Sequence, residues 1–433
     1  MKNKLTAVVS TGVVCGLIGM STAVYGLTLD EYFAAALTRS ETVATQTELI
    51  HQAEEHYRQA NSALLPTLTG TVSYGWQEPT AAGALSTASN PNRQRLAKVT
   101  AAQPLFRGFR EFAGLRQTQA LLNAQNQDYL GARTQLFRDA TQNFYNVLTI
   151  EQDLKNLDEE ISQNLAREKE LNERARIGRS RLSEVLSVES AVSTLRAQVE
   201  QLRGQLRAAR EAFAFLSGLD ANTPLNDAET LPATLEPLED YLERLRLRPD
   251  VRGGERRVAA AQENVSVARG AHLPSLDLTA NRYFERTGSS QDVDWDVQLV
   301  LTIPIYSGGQ LQSKVREAVS QQTQAELAAS QLSRQAEQEI RSLYEGVQAD
   351  RSQLQALEKA LDAARKNYEA QRRDYRLGLV TNLDVLQALT AFQENQRALD
   401  RARYATKTDY LKLQAATMRR PVAENESREG NRP

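Results

Sequence analysis

Arg176-Ile177-Gly178-Arg179-Ser180-Arg181-Leu182-Ser183-Glu184-Val185-Leu186 comes back, about 200 residues later, as Arg376-Leu377-Gly378-Leu379-Val380-Thr381-Asn382-Leu383-Asp384-Val385-Leu386. In both stretches Gly follows Arg and an aliphatic residue, and a carboxylate comes six residues after the Gly. Helix termination accounts for each residue singly: Gly at a C-cap, Arg on the negative helix end, an acid in the first turn of the next helix. It does not explain why two distant turns match so closely. Working outward, the match continues. Leu65-Pro66-Thr67-Leu68 returns as Leu273-Pro274-Ser275-Leu276, and Pro104-Leu105-Phe106-Arg107-Gly108 as Pro304-Ile305-Tyr306-Ser307-Gly308. A fixed-period repeat of this length is a duplicated supersecondary unit, here strand, strand, long helix, tight turn, long helix.

The outgoing helices, over residues 108–177 and 308–377, would each be about 100 Å long at 1.5 Å per residue, far more than a globular core requires. Val185, Val188, Val192, Leu195, Val199, Leu202, Leu206, Ala209, Phe213 and Leu216 recur at alternating steps of three and four, as do Ile340, Leu343, Val347, Leu354, Leu357, Leu361 and Tyr368. These are coiled-coil seams, so each copy is expected to fold into an antiparallel helical hairpin. Residues 28–64 read as helix, opened by a capping-box pattern at Thr28 and Glu31.

Four segments alternate with period two. Over 66–77, Leu68, Val72, Tyr74 and Trp76 oppose Thr67, Thr69, Thr71 and Ser73; a less regular strand covers 95–103, and a third covers 275–284. The last, 293–303, sets Val293, Trp295, Val297, Leu299, Leu301 and Ile303 on one face and Asp294, Asp296, Gln298 and Thr302 on the other. An apolar row opposite carboxylates suits a transmembrane barrel strand with lipid outside and a water-filled lumen at Asp294, Asp296 and Gln298. A soluble sandwich is the alternative; a mostly helical, exported chain favours the barrel. Two strands per copy cannot close a sheet, so the unit requires an assembly.

The ends and composition narrow the class. Residues 1–26 have the layout of a secretory signal, Lys2 and Lys4 before an apolar stretch and then small residues, with cleavage expected after Ala23 or Gly26 and an uncleaved anchor as the alternative. The one cysteine, Cys15, falls inside it, and Val13-Val14 before it disfavours lipidation. The net charge of −2 offers no footprint for nucleic acid. After the signal no run of about 20 apolar residues follows, so a barrel is the remaining way to cross a bilayer. The chain divides into 27–218 and 250–418 as the two repeats, 219–249 as a crossover with a short helix, and 419–433 as a polar, disordered tail. Neither His51, His56 and His272 nor the Gly108 and Gly308-Gly309 bends have the spacing of a metal site or phosphate loop. No catalytic residues and no cofactor are expected.

On these segments, together with Leu29-Asp30-Glu31 and Arg248-Pro249-Asp250-Val251, the chain resembles the TolC family of outer membrane factors over essentially all of its mature length. The resemblance implies a mostly α protein: a homotrimer with long antiparallel hairpins in an α-helical tunnel and four strands per chain completing a twelve-stranded β-barrel. It implies a passive outer membrane duct with a large periplasmic part in Gram-negative cells. The duct would serve a tripartite efflux or type I secretion system, with a periplasmic adaptor, an inner membrane transporter and outer membrane lipid as partners. Carried over by motif, Glu184 and Asp384 are acidic constriction residues and Tyr375 a gate tyrosine. The adaptor contacts are the tips at Arg176, Ile177 and Gly178, and at Arg376, Leu377, Gly378 and Leu379. The chain departs from the family pattern at Val380, where some members carry a gate arginine, and at Gln387, where an acidic position falls. The competing class is an exported coiled-coil scaffold or adhesin without a pore.

Overall fold

A computed structural model describes residues 26–76, 93–288 and 291–420. The signal segment with Cys15, the loop expected over 78–92 and the tail from 421 lie outside the described residues. The order is α1 (Leu29–Arg39), α2 (Glu41–Ser62), β1 (Thr67–Trp76), β2 (Arg93–Arg107), α3 (Arg110–Arg176), α4 (Leu182–Ser217), α5 (Leu238–Leu242), a 3₁₀ turn (Glu243–Leu247), α6 (Pro249–Gly270), β3 (Ser275–Arg286), β4 (Trp295–Thr302), α7 (Gln310–Arg376) and α8 (Asn382–Ala416). The strands form one antiparallel sheet in the order β1-β2-β3-β4.

The hairpins form as their seams require. Val185, Val188, Val192, Leu195 and Val199 of α4 are buried, with α3 alongside. The length of the outgoing helices is the less obvious feature: α3 and α7 have 67 residues each, whereas α4 and α8 have 36 and 35. A return helix therefore covers only the tip half of each rod. On the sheet side α2 and α6 take over, packing on α3, with α6 also on α7. Where these arrangements meet, Tyr32 stacks on Phe213 at 4.3 Å and Phe33 meets Phe137 edge-on at 5.2 Å. Burying each such ring contributes about 1.5–3 kcal/mol.

Three expectations need correction. Residues 28–64 are not one helix: the chain turns extended at Ser40, whose hydroxyl accepts from Val43 N–H and starts α2. A serine cap breaks this helix without Gly or Pro. The second strand is longer than its alternation shows, running Arg93–Arg107. The last strand is shorter than the expected 293–303, running Trp295–Thr302. The capping box at Thr28 is present, with Glu31 accepting from Thr28 N–H at 2.8 Å.

Both strand-to-helix bends use two consecutive left-handed residues, Gly108-Phe109 and Gly308-Gly309. At the first, a Cβ on Gly108 would collide with the Gly270 carbonyl at the end of α6, so this bend is also a close backbone approach.

The crossover is clamped down. Leu27 N–H donates to Pro224 O at 2.8 Å, Asn226 N–H to Leu27 O at 2.9 Å, and Lys407 pairs with Asp227 at 2.5 Å. The Arg248-Pro249-Asp250 motif is its far anchor. The buried Arg248 grips Asp250 through Nε at 3.1 Å and Nη2 at 2.8 Å, reaches Glu339 on α7 at 2.7 Å, and donates to the Ala416 carbonyl at 3.3 Å. One guanidinium thus joins α6, α7 and the end of α8. Arg248→Met removes the donor shared by two carboxylates and a carbonyl, leaving Glu339 only Arg138 and Asp250 only the Val251 N–H, and is expected to cost about 2–4 kcal/mol. Thermal denaturation of the purified protein reads this; Arg248→Lys should restore little, because an ammonium cannot make the forked contact.

Candidate functional site

The two turns are built alike. Gly178 and Gly378 adopt φ of 71° and 77°. Arg179 N–H returns to Arg174 O at 2.9 Å, and Leu379 N–H to Asp374 O at 2.9 Å, with Gly178 and Gly378 donating to the next carbonyls, Ala175 and Tyr375. This is the Schellman ending of a helix, and it needs glycine for the left-handed residue. The acids have local duties as well. Asp384 completes a capping box, its Oδ2 accepting from Thr381 N–H at 2.8 Å and Thr381 Oγ1 at 2.6 Å. Those bonds hold its carboxyl below the usual aspartate value. Glu184 accepts from the Ser180 hydroxyl. Helix termination is therefore real at both turns; the carboxylates stay at the tips with their hydrogen bonds directed back into their own chain.

Tyr375 is placed differently. It is only 8% exposed, in an apolar cluster with Leu171, Val185, Val188, Val192 and Val385 that joins the two hairpin ends. Arg167 lies over its ring at 4.0 Å and Arg174 at 4.9 Å. Arg167 also donates through Nε to Asn382 at 2.9 Å and pairs with Glu170 at 3.0 Å. A single α3 arginine thereby holds both the last turn of α7 and the first turn of α8. It was not among the residues singled out in the sequence.

Above it runs a polar seam that sequence reading also missed. α3 buries Asp153, Asn156, Glu160 and Asn164. Facing them on α8, Arg401 meets Asp153 at 2.7 Å, Asp400 accepts from Asn156 at 2.9 Å, Arg397 pairs with Glu160, and Gln393 donates to Gln163 at 3.3 Å. Burial pushes the Asp153 and Glu160 carboxyls up, with the facing arginines offsetting part of the shift; Asp400 beside Asp153 and Glu394 beside Glu160 add to it. Asp153 Oδ1, Asn164 Oδ1, Arg167 Nη2 and Gln393 Oε1 have no protein partner among the described residues. The first hairpin is thus zipped by buried aliphatic side chains, whereas the joint between hairpins, apolar at the Tyr375 cluster, is polar and incompletely satisfied above it. The signal was present as Asp153, Asn156, Glu160, Asn164 and Arg167 at steps of three and four, a helical stripe of the wrong polarity for a core search.

At the other end the sheet has two unlike faces. On one, Thr100 and Lys98 of β2 reach Asn281 of β3 at 2.7 and 3.4 Å, and Asp296 of β4 accepts from Asn281 and from the Tyr283 hydroxyl, both at 2.8 Å. Gln298 is exposed, in register with Thr279. Asp294 falls just before β4 and pairs with Arg282 at 3.5 Å, so the structure does not bring it together with Asp296. On the other face Leu68, Val72, Trp76, Trp295, Val297, Leu299 and Leu301 are all more than half exposed.

An elongated helical rod with matched turns at one end and an unclosed two-faced sheet at the other defines a strand-anchored duct protein. The family of outer membrane efflux proteins matches residues 33–219 and 242–417, and the chain belongs to that family. It is 25% identical over 367 residues to the outer membrane efflux protein BepC of Brucella suis, covering 81% of this chain and 76% of that one. In fold it is similar to the outer membrane protein VceC of Vibrio cholerae, with a TM-score of 0.79, 19% identity and coverage of 90% of this chain and 95% of that one. Its similarity to CusC has a TM-score of 0.78, 21% identity and coverage of 90% and 91%. The chain is accordingly an outer membrane efflux channel of the tripartite systems of Gram-negative bacteria, and not an enzyme; the pore-less scaffold is excluded.

The site generates two tests. Arg397→Met leaves the buried Glu160 carboxylate unpaired and is expected to cost about 3–5 kcal/mol, against a much smaller loss for Glu160→Gln, read as shifts in thermal midpoint. The pH dependences have opposite signs. Asp384 has a lowered folded value, so its contribution is present above its ordinary 3.8 and lost as pH falls through the folded value. Asp153 and Glu160 have raised values, so the seam gains as pH falls from neutral through them. Hydrogen exchange should therefore show the start of α8 fraying below about pH 4 while residues near Arg397 and Arg401 become more protected on mild acidification.

Proposed function

We propose that three copies of the chain join edge to edge through β1 and β4 into a twelve-stranded barrel, and that the six hairpin ends converge on a constriction gated through contact with a periplasmic adaptor. The observation that carries this reading is the sheet. Its outer strands each leave one edge unpaired, and its exposed apolar face includes Trp295 at 65% and Leu299 at 61%. In a bilayer such edges must be closed, and head-to-tail pairing of identical copies closes them without a second protein. The polar face with Asp296 and Gln298 then lines the lumen, with Asp294 at its rim.

At the far end, Glu184, Tyr375 and Asp384 form the gate of this proposal. Rings of Glu184 and Asp384 would concentrate negative potential at a narrow mouth and hold multivalent cations. The residues around Gly178 and Gly378 are its adaptor contacts. Opening requires an adaptor with greater affinity for the splayed arrangement than for the closed one, and the polar seam between α3 and α8 is the joint that would give.

A detergent-stable trimer from outer membranes that conducts ions in planar bilayers is the expected result; a soluble, non-conducting monomer overturns the reading. Glu184→Ala with Asp384→Ala should raise conductance or weaken block by divalent cations, and no change in either counts against the gate.

A further inference from the structure

The two turns share a backbone but not a surface. At equivalent places Arg179 faces Leu379 and Arg181 faces Thr381, while Arg176 and Arg376 correspond. Between Arg174 and Arg181 there are four arginines and no carboxylate. Arg174 is engaged by Glu170 at 2.9 Å and by the Tyr375 ring. Arg176, Arg179, Arg181, Arg372, Arg373 and Arg376 are exposed, and their side chains have no ion pair or hydrogen bond among the described residues. Of the neighbouring acids, Glu184 is bonded to Ser180, Asp384 to Thr381, and Glu170 to Arg167 and Arg174; Glu173 and Asp374 stand beside the arginines without pairing with them. Among these arginines stand apolar side chains in water, Ile177 at 67% and Leu182 on the first turn, Leu377 at 73%, Leu379 and Leu383 on the second.

A cluster of exposed aliphatic residues bordered by uncommitted guanidinium groups has the make-up of an interface, in which arginine contributes both contact area and forked pairing to carboxylates. We infer that the paired turns recognise a protein surface that is apolar at its centre and carries Asp or Glu around it. The first turn supplies the charge contact and the second the apolar one. The inference rests on the proposed role of the turns as adaptor contacts and specifies the chemistry of the adaptor. Since both turns have the same backbone, the discrimination lies in side chains alone, chiefly Arg179 and Arg181 against Leu379 and Thr381.

The test uses the full chain purified in detergent and two stapled helical-hairpin peptides, identical except that the tip leucines are flanked by glutamates in one and lysines in the other. The glutamate peptide should bind at least about ten-fold more tightly at low salt, with the preference shrinking as ionic strength rises. Arg179→Gln with Arg181→Gln should remove the preference, and Arg179→Glu with Arg181→Glu should reverse it toward the lysine peptide, with thermal midpoints confirming that the variants fold. Equal binding, absence of binding by either peptide, a preference untouched by the variants, or binding to phosphatidylglycerol vesicles in place of the acidic peptide overturns the inference. Trimer state and conductance read on the same preparation keep the two failures apart: a conducting trimer without the preference sinks only the acidic-partner inference, whereas a non-conducting monomer sinks the channel assembly on which it stands.

Discussion

Unpaired strand edges set the terms for this molecule. A backbone N–H or C=O left without a partner in hydrocarbon costs several kcal/mol, and a four-stranded sheet has two edges of them. Within the described residues β1 and β4 find no partner beyond β2 and β3. The apolar face that suits lipid is also the face a water-soluble sheet would have to hide. The helices inherit the requirement. Each strand pair must hand its chain to a rod at a fixed place, and both bends do so with two left-handed residues, one of them locked against the Gly270 carbonyl.

How the rods are held then decides which joint can move. Aliphatic seams inside a hairpin exclude water and have no cheap alternative state. A seam of Asp153, Asn156 and Glu160 against Arg397, Asp400 and Arg401 can exchange its partners for water, and several of its atoms already lack a protein partner. Buried ion pairs are weak sources of stability, because desolvation offsets most of their attraction. They do fix register, since a shift of one helical step would bury charges without their opposites. Such a joint specifies one arrangement strongly while stabilising it weakly, which suits the opening proposed for the hairpin ends.

The repeat, the long helices, the two tips and the amphipathic last strand were legible because each is written in local periodicity, two for a strand and three to four for a helix seam. What escaped depends on partners far away in the chain. Arg248 stands in the sequence only as part of a matching motif, and what it holds is not visible until Glu339 and the Ala416 carbonyl are brought to it. Arg167 is one of many polar residues on α3 until Tyr375 and Asn382 arrive from two helices more than 200 residues on. The break at Ser40 was missed for a different reason. A serine cap in an alanine-rich stretch is a weak local signal, and the core that Tyr32, Phe33 and Ala36 of α1 share with Val43 of α2 is assembled from distant parts of the chain. At the tips the helix-termination reading holds: Gly378 and Asp384 terminate and cap helices, and that duty fixes the shape of the surface they present.

The duplication also conceals an inequality. α3 and α7 have the same length, yet α3 buries 18 residues and α7 only six. α3 is enclosed by α2 and α6 on the sheet side and by α4 and α8 toward the tip, while α7 has α6 and α8 and an open flank. Toward the tip, Leu354, Leu357, Leu361 and Tyr368 are only half-buried against α8. A rod covered on every side can shift only if its neighbours do. Within one chain the first hairpin is thus the more enclosed of the two, a distinction that arises from where α2 and α6 are placed and not from any difference between the two turns, and the flank that α7 leaves open is surface for neighbouring copies in the proposed trimer.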